Sequence, residues 1–313
     1  MKPVSLWNTL TRMLILSGIL VLSTTGFSQN LATDNTIDIG NGITIHYVEK
    51  GSGPPLILVH GSLSDYTYWL SQMTPLSRHY RVVAYSRRYN WPNSNPERNG
   101  YSAEADAEDL VSLIGTMHLG KVYLVGHSYG ALTSLFVAAR HPELLKAIVL
   151  AEPPLVPLLK NLSGRDSETG KELYADLQTR MVAPMVSAFS RGNTEAGVST
   201  FINFVFNDPQ AWHNLSPASR AETLKDAHEW EVVLTRGTLF PELAIADLRA
   251  IQTPVLLMSG AKSYWFLGPI DSELLELLPN SRQIIFSNTG HQMWLQHPDE
   301  ARGYAEAFFD LYP

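Results

Sequence analysis

Short, wholly apolar runs recur through the first half of the chain: Leu56-Ile57-Leu58-Val59, Val82-Val83-Ala84-Tyr85, Val122-Tyr123-Leu124-Val125 and Ala147-Ile148-Val149-Leu150-Ala151. Runs this short without polar alternation predict strands covered on both faces, the setting of a parallel sheet. Helix-suited segments separate them. Ala131 to Ala139 reads as one, and Ala103-Glu104-Ala105-Asp106-Ala107-Glu108-Asp109-Leu110 opens with acids, as a helix N-terminus favours. From about Leu155 to Ile245 the pattern changes to polar helical stretches carrying Phe201, Phe204, Phe206, Trp212 and Trp230, with no buried strand. Strand–helix alternation resumes at Pro254-Val255-Leu256-Leu257-Met258-Ser259-Gly260 and returns at Gln283-Ile284-Ile285-Phe286. The pattern predicts an α/β core formed by residues 29–154 and 246–313, with residues 155–245 inserted as a helical cap.

The N-terminus stands apart. Lys2 and Arg12 supply positive charge, Met13 to Leu22 is apolar, and Gly26-Phe27-Ser28 offers small residues where a signal peptidase reads. Residues 1–28 are therefore expected to be a signal peptide, too short to span a membrane, with an uncleaved anchor as the alternative. N-terminal sequencing of exported protein should find a mature chain that begins near Gln29; a start at Met1 would count against cleavage. The expected location is secreted or periplasmic.

A chain of 313 residues with 45% hydrophobic content can bury one large core. A net charge of −7 without runs of like charge argues against nucleic acid or an anionic membrane as partner. With no cysteine, disulfides, thiolate-bound zinc and a thiol nucleophile are all excluded. No metal-ligand spacing is present, so neither metal nor cofactor is expected, only a small-molecule substrate; oligomeric state is not legible.

The candidate chemistry begins at Gly126-His127-Ser128-Tyr129-Gly130, which follows the strand at Val122 and precedes the helix at Ala131. This is G-x-S-x-G in the strand–turn–helix context its mechanism needs. The glycines let the turn tighten, and the helix N-terminus behind Ser128 favours developing negative charge. Ser128 is the candidate nucleophile, and a serine hydroxyl needs a base that is itself oriented by a third group. Of the ten histidines, His291 lies on a loop after Gln283–Phe286, downstream of the nucleophile, in the chain order this motif calls for. His141 and His297 precede prolines at helix ends, His127 lies inside the turn and His46 in an early strand. His79, His118, His213 and His228 fall in polar or inserted stretches, and all eight read as structural or solvated. For a tetrahedral intermediate, two backbone N–H groups must face its oxygen. Tyr129, after the nucleophile, and Ser62, in His60-Gly61-Ser62 after an early strand, are the matching positions.

On His60-Gly61-Ser62, Gly126-His127-Ser128-Tyr129-Gly130 and Gly290-His291, the chain resembles the α/β-hydrolase family from about residue 36 to its C-terminus. The resemblance implies an eight-stranded, mostly parallel sheet wrapped by helices, with the site at the strands' C-terminal edge. Branches that open epoxides or remove halogens carry Asp at the turn, where this chain has Ser128, so those chemistries are not expected. In most relatives a D-x-R-G-x-G-x-S loop follows the fourth strand. Here Ser86-Arg87-Arg88-Tyr89-Asn90-Trp91-Pro92-Asn93-Ser94 keeps Arg88 and Ser94, loses the glycines, and is expected to be bulkier but chemically silent. Relatives usually place the triad Asp three residues after the Gly that ends the seventh strand, and here that position is Ser263.

The acid must therefore come from elsewhere. Glu152, at the end of Ala147–Ala151, is the first candidate, as in branches that carry the acid after strand six. Asp271, in what reads as a helix start, is the rival, and Glu152 could instead pair with Arg87 or Arg88. Trp265, Phe266, Met293 and Trp294 flank these loops either as pocket walls or as core. The expected activity is hydrolysis of a small or medium carboxylic ester through an acyl-enzyme. Carbon–carbon bond hydrolysis, perhydrolysis, amide cleavage, or a non-catalytic binding role on the same fold stand as alternatives.

Overall fold

The computed structural model describes residues 35–162 and 167–313; the expected signal segment 1–28 lies outside the described residues. Eight strands form one sheet: β1 (Asn35–Asp38), β2 (Thr44–Lys50), β3 (Pro55–Val59), β4 (Arg81–Tyr85), β5 (Val122–His127), β6 (Leu145–Ala151), β7 (Val255–Gly260) and β8 (Ser281–Phe286). Their spatial order is β1-β2-β4-β3-β5-β6-β7-β8, antiparallel at β1–β2 and β2–β4 and parallel from β4 onward.

Burial on both faces explains the unbroken apolar runs. Ile57 and Val59 face one core with Val83, Tyr85 and Leu124, while Leu56 and Leu58 face the other with Val82, Ala84 and Tyr123. The alternation is that of a strand, but both faces are dry. The helix Tyr129–Arg140 is buried almost throughout, with Leu132, Leu135 and Phe136 fully covered. Each such side chain stabilises the fold by about 1.5–3 kcal/mol on leaving water.

The chain leaves β3 toward β4 and then crosses back to place β5 on the other side of β3. Such a switch point opens a crevice at the carboxyl ends of the strands, where His60-Gly61-Ser62 and Ser128-Tyr129 lie. Between β6 and β7 the described residues form helices and loops without a strand, including Thr194–Val205 and His228–Arg236. No helix among the described residues is long and apolar enough to cross a membrane.

Candidate active site

Ser128 sits on the corner between β5 and the helix Tyr129–Arg140 with φ 53° and ψ −122°, a sparsely populated backbone state for a non-glycine residue. Close packing holds the corner. A Cβ at Gly130 would lie 2.3 Å from the Val59 carbonyl oxygen, and one at Gly126 2.5 Å from that of Gly130. Ser128 N–H donates to the Ala151 carbonyl at 2.8 Å, tying the corner to the end of β6.

Glu152, the next residue, is also at positive φ, 51°, and is 1% exposed. Its side chain has three partners. Oε1 accepts from Gly260 N–H at 2.7 Å, and Oε2 accepts both from the Ser263 hydroxyl at 2.6 Å and from His291 Nδ1. The carboxylate from β6 therefore reaches the imidazole beside the β7 loop, where relatives supply an Asp. Ser263, which stands at that position here, donates its hydroxyl hydrogen bond to Glu152. With Nδ1–H committed to Glu152, the lone pair of His291 is assigned to Nε2. Ser62, Ser128, Tyr129 and His291 line one pocket.

Asp271 is not part of this cluster. The helix Leu267–Leu277 begins four residues before it, so Asp271 is not a first-turn acid, contrary to the sequence reading. It is buried, accepts from the Ser259 hydroxyl at 2.6 Å, and is pushed well above the usual carboxylate range by burial, with the charge of Glu152 adding. Nor do Arg87 and Arg88 pair with Glu152: Arg87 meets Asp106 and Glu229, and Arg88 meets Asp109.

Two neighbours make contacts that the sequence does not spell out. His127, read as structural, donates from Nε2 to the backbone carbonyl of His291 at 2.9 Å and stacks on Tyr68 at 5.0 Å. Burial holds its pKa well below 6.5, so it is a neutral prop for the His291 loop. Its place beside Ser128 was the available signal. Tyr264, whose ring centroid is 4.6 Å from that of His291, walls the pocket; no spacing marked it. Of the four flanking apolar residues, Phe266 lines the pocket, while Met293 and Trp294 pack on the opposite face of the sheet with Trp69. Trp265 packs against Phe204 and Phe266.

The pocket is also lined by Pro154, Met181, Phe201, Trp230, Leu239, Phe240 and Leu267. The inserted helices thus roof the site, and neither Lys nor Arg is in its lining. Among the described residues no group of three or more His, Asp or Glu is arranged to hold a metal ion.

Residues 54–298 match the model of the alpha/beta hydrolase fold family. The chain is 32% identical over 285 residues to (E)-2-((N-methylformamido)methylene)succinate hydrolase of Acinetobacter baylyi, covering 89% of this chain and 98% of that protein. It is 38% identical over 158 residues to 2-(acetamidomethylene)succinate hydrolase of Mesorhizobium japonicum, a match to 48% of this chain and 56% of that protein. Among solved structures, carboxylesterase CesB of Bacillus subtilis superposes with a TM-score of 0.65 at 18% identity, over 97% of each chain, a likeness of fold alone. The chain belongs to the α/β hydrolase fold family and is a hydrolase.

Proposed function

We propose that this hydrolase cleaves neutral carboxylic esters with a small or medium apolar acyl group, using Ser128, His291 and Glu152 as its triad. Ser128 Oγ attacks the ester carbonyl as His291 Nε2 takes its proton. Glu152 holds the imidazole in the required tautomer and stabilises the imidazolium. The Ser62 and Tyr129 N–H groups donate to the oxyanion. His291 then protonates the departing alkoxide. Water, deprotonated by His291, attacks the acyl-enzyme, and His291 passes that proton to Ser128 Oγ as the carboxylic acid leaves.

The observation that carries the choice of substrate is the pocket lining: aromatic and aliphatic walls with no Lys or Arg. The two aligned relatives are named for succinates, which carry two carboxylates. A carboxylate in this pocket would meet no cation, and an uncompensated buried charge costs several kcal/mol. A matched pair of p-nitrophenyl esters, hexanoate and hemisuccinate, tests the reading with Ser128→Ala as control. The hexanoate should be preferred by about 100-fold or more in kcat/KM, the factor that an unpaired buried charge implies. Equal rates, or a preference for the hemisuccinate, would overturn the neutral-ester assignment. Activity that survives in Ser128→Ala would remove the serine mechanism as well.

A further inference from the structure

Arg87 occupies a site that a serine triad does not require. Its side chain is fully buried, and its guanidinium donates to four acceptors: Asp106, Glu229, the Gly61 carbonyl and, at 3.4 Å, the Tyr101 hydroxyl. Nη1 donates to Asp106 Oδ2 at 2.6 Å, on the helix Ala103–Thr116. Nη2 donates to Glu229 Oε1 at 2.7 Å, on the inserted helix His228–Arg236, and to the carbonyl oxygen of Gly61 at 3.1 Å.

The Gly61 carbonyl belongs to the same planar peptide unit as the Ser62 N–H, so fixing one fixes the direction of the other. It has a second donor in His60 Nδ1 at 2.8 Å, while His60 Nε2 accepts from the Arg87 backbone N–H at 3.0 Å. Both ring nitrogens of His60 are thus committed, and burial keeps the ring neutral. On its other side the Arg87 guanidinium lies 4.8 Å from the ring centroid of Tyr129, whose backbone supplies the second proposed oxyanion donor.

A latch between core and inserted helices exists without this reach. Asn90 Nδ2 donates to Glu229 Oε2 at 2.7 Å, and Trp91 N–H to Asp226 Oδ1 at 2.8 Å. The additional contact, from guanidinium to the Gly61 carbonyl, is the one that points at the chemistry.

We infer that Arg87 is a positioning residue: it holds the Gly61–Ser62 peptide with the Ser62 N–H aimed into the pocket, and through Glu229 makes that aim depend on the docked inserted helices. The loop after β4, where relatives carry glycines, thereby supports the oxyanion site from behind. A hydrogen bond from a charged donor also polarises the peptide and sharpens the N–H opposite. This inference rests on the serine mechanism proposed above.

Its test separates transition-state stabilisation from simple folding. An alkyl trifluoromethyl ketone takes up the Ser128 oxygen at its carbonyl carbon, placing the resulting oxyanion between Ser62 and Tyr129. The matched non-fluorinated ketone fills the same pocket without that bond. Inhibition constants for both, together with kcat/KM, are measured on the full chain and on Arg87→Lys and Glu229→Gln. Arg87→Lys keeps a cation but loses the planar fork that serves these acceptors together. Glu229→Gln keeps the size and hydrogen-bonding shape of the partner and is the variant that guards against a folding defect.

In Arg87→Lys the trifluoromethyl ketone should bind about 10–100-fold more weakly, part of the 10²–10³ that an oxyanion donor supplies. Glu229→Gln should show a smaller loss of the same kind. In both variants the loss should track kcat/KM, while the plain ketone changes less than about 3-fold, since transition-state stabilisation is what is removed. Parallel weakening of both ketones, or of neither, overturns the inference. A wild-type chain that binds the two ketones equally overturns the serine mechanism and this inference with it.

Discussion

Ser128→Ala is expected to abolish covalent labelling by a fluorophosphonate and to lower kcat by a factor on the order of 10⁶, the loss typical of removing a serine nucleophile. The expectation rests on the held corner: Ser128 at φ 53°, tied to Ala151, with glycines packed against backbone on either side. Only an activated serine reacts with such a probe at useful rates. Intact-mass analysis should show one adduct on the native chain and none on the variant. An adduct that persists without the Ser128 hydroxyl would place the nucleophile elsewhere. Substrate binding should survive, because the apolar walls, Phe201, Trp230, Phe240 and Phe266 among them, are untouched.

Glu152→Gln should lower kcat by about 10⁴ with the protein still folded, as expected when a triad loses its acid. An amide at this position can offer an N–H to Nδ1 and so favour the wrong tautomer of His291. Asp271→Asn is the control: its side chain touches Ser259 and not the imidazole, so turnover should change little. Ser263 offers a sharper variant. Its hydroxyl lies 2.6 Å from the Glu152 oxygen that meets His291. Glu152→Ala combined with Ser263→Asp should therefore recover at least about tenfold over Glu152→Ala alone, a part of the loss an acid can restore. The variants are to be compared on the best ester found, with circular dichroism confirming the fold. If Asp271→Asn is the inactive protein and Glu152→Gln turns over normally, the triad acid has been misassigned.

These contacts show where reading the chain succeeds and where it stops. Gly126 to Gly130 and the apolar runs at Leu56, Val82, Val122 and Ala147 are local signals, because strand and turn geometry is imposed within a few residues. Glu152 as the candidate acid came from the family resemblance, in which Ser263 stands at the usual position of an Asp. Asp271 was misread because an acid near a helix start is usually a solvated end. Here the helix begins earlier and turns that carboxyl into the core.

The sequence by itself determined the order of the elements and the corner that presents Ser128, because each is encoded over neighbouring positions, and chain order singled out His291 as the base to test. Tertiary structure decided the rest. The reach of Ser263 to Glu152 spans 111 positions, that of His127 to the His291 carbonyl 164, and that of Arg87 to Glu229 142. No periodicity relates residues so far apart. They meet because the parallel sheet brings the ends of β3, β5, β6 and β7 to one edge and the inserted helices close over it. Burial favours a partner for each polar group there, and which partner it finds depends on the three-dimensional packing.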